Sequence, residues 1–149
     1  MQRHVELLRT GLPEELVTPL WTTRGKRSYY VTNPAAAAAL ALQGDAYVCV
    51  SFLRKDVAEK LGPHKRVCAG NAAGLTGLTI DLDVIGTPDG KGGVKKAGAA
   101  NIDEAIAAAH LLAEPTLVIL SGGGVQAWWL FEKPLIFSSS EERAGEARV

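Results

Sequence analysis

Residues Leu75 to Ile85 read LTGLTIDLDVI, and this stretch leaves the chain few options. Its period-two alternation predicts an extended strand, in which successive side chains point to opposite faces. Leu78, Ile80, Leu82 and Val84 then fall on the buried face, and Asp81 and Asp83 share the other. Two like charges side by side repel and raise each other's pKa unless something positive lies between them. The simplest neutraliser is a hard divalent cation with oxygen ligands, Mg²⁺ or Mn²⁺. An isolated D-x-D fits equally well a strand end whose acids are merely solvated, so the pair needs support from elsewhere in the chain.

With 149 residues the chain is read as one domain long enough to bury a core. An apolar content of 47% excludes the disordered and collagen-like classes. A formal charge of zero offers no global attraction to nucleic acid, so any such role must rest on local clusters. Cys49 and Cys68 form no C-x-x-C pair, which argues against structural zinc, and Cys49 reads as a small core residue within an apolar run. Neither a secretory leader nor a bilayer-length apolar run is evident. The expectation is a soluble, cytoplasmic protein without a membrane partner.

Upstream, weak helical spacing covers Gln2 to Thr10. Leu16 to Trp21 and Ser28 to Val31 read as strands joined by a polar connection containing Arg24, Lys26 and Arg27. That basic cluster suits a solvated turn or a phosphate backbone. Asn33-Pro34 before AAAAALALQ and Gly44 predicts a capped helix. Ala46 to Phe52 reads as one strand, and Arg54 to Leu61 as a short helix ended by Gly62-Pro63. His64, Lys65 and Arg66 follow; Arg66 is a tentative phosphate or DNA contact.

After Ile85, GTPDGKGGVKKAGAA reads as a flexible loop. It is not a P-loop, because Gly86 to Lys91 has the wrong spacing and Gly92 stands where Ser or Thr is required. Lys95, with Lys91 and Lys96, lies close enough in sequence to the acids to meet a polyphosphate or a nucleic-acid strand; a solubilising loop is the plainer alternative. Asn101 to Ala113 predicts a helix with a capping box of Asn101 and Glu104 and an inward stripe of Ile102, Ala105, Ile106, Ala109 and Leu112.

Thr116 to Leu120 and Val125 to Phe131 read as buried strands linked by Ser121, Gly122, Gly123 and Gly124. Such a link makes a plain hairpin turn, but its glycines also let successive amides approach an anion. Gln126 falls on the face of Trp128 and Leu130; Val125, Ala127, Trp129 and Phe131 take the other. Of Trp128 and Trp129, at least one belongs to the core.

An apolar strand ending in D-x-D, a helix, then PTLVILSGGGVQAWWLF resembles the primase–polymerase domains of the archaeo-eukaryotic primase superfamily. The resemblance is closest to the bifunctional primase/polymerase domains of plasmids, phages and integrated elements, and covers about residues 16 to 135. It implies an α+β fold with a mixed sheet and flanking helices, an RRM-like catalytic core and an N-terminal α/β unit. The expected partition is about 1–70 for that unit, 71–137 for the metal- and nucleotide-binding part and 138–149 for a polar tail.

The resemblance further implies that Asp81 and Asp83 hold Mg²⁺ or Mn²⁺ as catalytic residues, and that Ser121, Gly122, Gly123, Gly124 and Gln126 bind a nucleoside triphosphate. The implied activity is DNA primase and polymerase nucleotidyl transfer on a DNA template and primer, beside a downstream helicase-like region. Gln126 stands where the family carries histidine, and a neutral amide lacks imidazole's charge and proton. A third acidic position has no match; Glu141, Glu142 and Glu146 lie in no strand-like context, so the chain reads as a truncated piece. A nucleotide- or DNA-binding module without polymerase activity stays open, as does a metal-dependent nuclease.

Overall fold

A computed structural model describes residues 1–138 as an α+β arrangement of antiparallel strands and four α-helices. The expected tail with Glu141, Glu142 and Glu146 lies outside the described residues. Two compact units are formed, one from Met1–Gly77 with the described residues from Phe131 to Ser138, the other from Leu78–Leu130. Two long strands, β5 (Gly74–Asp83) and β7 (Gly124–Ile136), contribute to both.

In the first unit, β1 (Leu16–Thr22) is the hub. It pairs antiparallel with β2 (Arg27–Val31), β3 (Ala46–Val48) and β4 (Ser51–Arg54), and β4 pairs antiparallel with β5 at Phe52–Gly74. Alternation gives this sheet two apolar faces. One carries Leu20 and Val31, packed with Val5 of α1 (Gln2–Leu8) and Ala37 of α2 (Pro34–Ala41). The other carries Val17 and Leu53, packed with Ala58 of α3 (Lys55–Leu61). The consecutive residues Tyr29 and Tyr30 accordingly join opposite clusters.

Local signals account for most of these boundaries. Asn33 Oδ1 accepts from the Ala35 amide at 2.9 Å, and Pro34 fills the first helical position. The single strand expected over Ala46 to Phe52 is instead two: the bond from Cys49 N–H to the Pro19 carbonyl continues the ladder with β1, and the chain then bends at Val50 before β4 begins. Cys49 is only half-buried, with its Sγ 2.9 Å from Ser51 Oγ, and is not the core residue anticipated. A side chain cannot be accommodated at Gly74, where the Phe52 ring and the Leu135 carbonyl close over the backbone.

In the second unit the strand order is β5, β7, β6 (Leu117–Leu120). β6 and β7 form an antiparallel hairpin with Leu117 opposite Trp128 and Leu120 opposite Val125. Helix α4 (Ile102–His110) covers one face, joining Val84, Ala105 and Val125 with Leu82, Ile106 and Val118. Asn101 caps it by accepting from Glu104 N at 2.9 Å, while Glu104 reaches back to Ala100 N at 2.6 Å rather than to the amide of the cap residue itself.

Several burial expectations fail in this unit. Leu78 is 57% exposed, Leu112 70% and Leu120 65%. Leu112 lies beyond the end of α4, and Leu120 lies at the hairpin end of β6, so the inward stripes stop short of both. Phe131, where β7 passes into the first unit, is exposed as well, whereas Trp128 is core and Trp129 is half-buried with its Nε1 donating to the Ala113 carbonyl at 3.0 Å. No helix among the described residues is long and apolar enough to cross a membrane.

Candidate functional site

The second unit holds the acids and the glycine turn together. Leu82 and Val84 face α4, so strand alternation puts Asp81 and Asp83 on the opposite face of β5. Val125 also faces α4, and the same argument puts Gln126 on the face of the two acids, with Ile119 as its cross-strand partner.

The turn itself is dictated by its residues. Ser121 N–H donates to the Gly124 carbonyl at 3.0 Å, leaving Gly122 and Gly123 as a two-residue loop. Gly122 takes φ +80, in the left-handed region that favours glycine. Among the described residues no hydrogen bond is formed by the amides of Gly122 and Gly123, which leaves two successive donors at the bend. Such amides suit an anion.

The Gly123 carbonyl, by contrast, is heavily engaged. It accepts from Val84 N at 3.1 Å, Thr87 Oγ1 at 2.9 Å and Lys95 Nζ at 3.1 Å. Lys95 Nζ also forms an ion pair with Asp83 Oδ1. The end of β5 is therefore bonded to the hairpin on one side. On its other side, Ala99 N donates to the Asp83 carbonyl at 2.9 Å and Ile85 N to the Ala99 carbonyl at 2.9 Å. A backbone held from both edges fixes the direction of the Asp83 side chain, which is the condition for a precise ligand.

The segment after Ile85 is a loop, as expected, and it carries hydrogen bonds along its length. Thr87 accepts from Lys95 N at 2.9 Å, Pro88 bridges Val94, and Gly86 N donates to the Lys95 carbonyl at 2.9 Å. At its tip Asp89 Oδ1 accepts from Lys91 N at 2.7 Å and Gly93 N at 2.9 Å. These amides, that of Lys91 first, hold the Asp89 carboxyl below the usual carboxylate range. This small folded loop delivers Lys95 to Asp83.

Asp83, Lys95, Gly123, Gly124 and Gln126 thus belong to one neighbourhood of the second unit. Asp81 is exposed on the same strand face, and Ser121 and Gly122 sit at the exposed end of the hairpin. Arg66 belongs to the first unit, where its guanidinium stacks on the Trp21 ring 4.6 Å from the centroid. Lys91 and Lys96 are exposed. Sequence reasoning missed Thr87, whose hydroxyl links the Val84 and Gly123 carbonyls at 2.6 and 2.9 Å, and Gly98, whose close approach to Asp83 leaves no room for a side chain. Nothing local marks either residue; both matter because of partners distant in the chain.

The donor set bears on metal chemistry. No group of three or more His, Cys, Asp or Glu residues able to hold a metal ion occurs among the described residues. Two carboxylates are too few for an all-protein cage, but they match the manner in which Mg²⁺ is usually held, by one or two carboxylates together with substrate phosphates and water. The residues fit an ion that arrives with a polyphosphate.

Compared with known proteins, the chain matches no family model, no curated protein and no solved structure.

Proposed function

We propose that the chain is a primase–polymerase-type nucleotidyl-transfer domain, with its nucleotide site in the second unit and an RRM-like arrangement of β5 and the β6–β7 hairpin. One observation carries this reading: Asp83, Lys95 and Gly123 meet in a single hydrogen-bonded cluster, beside a turn with two amides that make no hydrogen bond among the described residues. A carboxylate for a hard cation, an ammonium for phosphate and backbone donors for phosphate are the components that polyphosphate chemistry requires.

Asp81 and Asp83 would hold Mg²⁺ or Mn²⁺, which supplies Lewis acidity and charge neutralisation when bound. The amides of Gly122 and Gly123 and the Gln126 side chain orient the triphosphate, and Lys95 offsets its charge. The rate gain comes from placement and electrostatics, with no protein nucleophile. A DNA template and primer and a helicase-like region in a longer protein belong to this same reading.

A second reading has its own support. Gln126 has no titratable group for proton transfer, and no third acid stands with Asp81 and Asp83 among the described residues. Both features favour a nucleotide- or DNA-binding module without transfer activity. Primer extension with labelled nucleotides, run beside Mn²⁺-dependent nucleotide binding, separates the two. Extension supports the enzyme, and binding without extension supports the module. Nucleotide affinity indifferent to Mn²⁺, without extension, would reject the enzyme and leave the module; binding of neither nucleotide nor DNA would reject both.

A further inference from the structure

Lys95 contacts two different groups of the site at once. Its ammonium pairs with Asp83 Oδ1 and donates to the Gly123 carbonyl at 3.1 Å. The Lys95 side chain is only 21% exposed and that of Asp83 45%, so the pair is partly shielded from water. The lysine stem does not start from a loose segment, because the Lys95 backbone is bonded to Thr87 and Gly86 on the small folded loop.

A divalent cation coming to Asp81 and Asp83 needs the carboxylate that the ammonium already holds. A lysine and a metal ion at the same oxygens repel each other, and the lysine lowers the site's negative charge from two to one. A triphosphate changes the balance. It brings several anionic oxygens, offers the flexible ammonium a new partner, and gives the ion further ligands. The turn need not collapse when the lysine leaves, since Val84 N and Thr87 Oγ1 still hold the Gly123 carbonyl at 3.1 and 2.9 Å.

We infer that Lys95 is a resident counter-cation that competes with the divalent ion for Asp83 and passes to the phosphates when nucleotide arrives, so that metal and nucleotide bind as a pair. This rests on the reading of Asp81 and Asp83 as metal ligands. The coupling is reciprocal: nucleotide raises metal affinity by the factor by which metal raises nucleotide affinity. Lys95 is a positioning residue in this scheme and takes no part in bond making.

The test is calorimetric titration of the full chain with Mn²⁺, alone and with a non-hydrolysable nucleoside triphosphate analogue, for wild type, Lys95→Met and Lys95→Arg. Removing a partly exposed ion pair of this kind should tighten Mn²⁺ binding in Lys95→Met by about fivefold. Its metal–nucleotide coupling factor should fall below the wild-type value to the part that phosphate ligation of the ion supplies by itself, whereas Lys95→Arg should keep wild-type behaviour. If Lys95→Met melts early, Lys95→Gln, which keeps a donor without the charge, provides the same comparison. Mn²⁺ affinity in the neutral variants equal to or weaker than wild type overturns the inference, as does Lys95→Arg behaving like Lys95→Met. Those results leave the metal reading standing; a wild type that does not bind Mn²⁺ with or without the analogue removes both.

Discussion

Gly124 lies against the Leu82 carbonyl so closely that a side chain at Gly124 has no space, with the Asp83 Cα 3.0 Å from where its Cβ would be. The glycine at the root of the hairpin is therefore a spacing device between β5 and β7, and Gly122 at the tip serves a different purpose. Gly124→Ala must push the strands apart and should cost about 3 kcal/mol, as overpacking does. Gly122→Ala meets nothing within 4 Å and has only φ +80 to overcome, about 1 kcal/mol. Urea denaturation of the two variants decides the matter, and equal losses would contradict the spacing role.

The two acids should be dispensable for folding and necessary for the metal. Asp81 is exposed and Asp83 half-buried, so Asp81→Ala with Asp83→Ala should lower stability by no more than about 1 kcal/mol. Mn²⁺-dependent nucleotide binding should be abolished. A double variant that binds nucleotide as tightly as wild type would end the metal assignment.

Asp89 organises the loop that presents Lys95. Asp89→Ala removes the acceptor for the Lys91 and Gly93 amides, and their hydrogen exchange should speed up at least tenfold. Because its folded pKa lies below the ordinary value, the carboxylate's contribution is present above the unfolded pKa and is lost as pH falls through the folded one. Unchanged exchange at both amides by NMR would show that the loop is held some other way.

His4 sets a pH dependence in the first unit. Burial first, and the nearby N-terminal ammonium second, lower its pKa from the ordinary 6.5 to about 4. Above pH 6.5 the imidazole is neutral in both folded and unfolded chains. Between pH 6.5 and 4 only the unfolded chain takes up the proton, so stability falls as pH is lowered across that window and levels off below it. His4→Gln should flatten this part of the melting-temperature profile; a profile with the wild-type slope would assign the effect elsewhere.

Gln126→His tests the amide on the acidic face. An imidazole there titrates near 6.5, and its charged form attracts phosphate. Triphosphate affinity in the variant should rise as pH falls through that value, beyond any change in wild type. Parallel pH profiles for the two proteins would place residue 126 away from the nucleotide.

Much of the second unit was legible because its signals are local. Period-two alternation located β5 and put both acids on one face, and the run from Ser121 to Gly124 marked a hairpin whose first central glycine does take a positive φ. Asn33 and Asn101 announced the starts of α2 and α4. Burial was less legible. Leu78 satisfies the alternation yet is exposed, since a pattern says which face a residue takes and not whether anything covers it. Glycine content marks the GTPDGKGGVKK segment as a loop but does not show which bonds order it, because these begin at Asp89 and Thr87.

By itself the sequence determined the strands, the helix caps, the shared face of Asp81 and Asp83 and the glycine bend, all of which follow from residues within one or two turns of each other. Only the tertiary structure decided that Lys95 meets Asp83 twelve residues away and Gly123 twenty-eight residues away. The physical reason is that backbone alternation and capping act through covalent neighbours. An ion pair joining three separate segments depends instead on how those segments pack, and no residue carries that information alone.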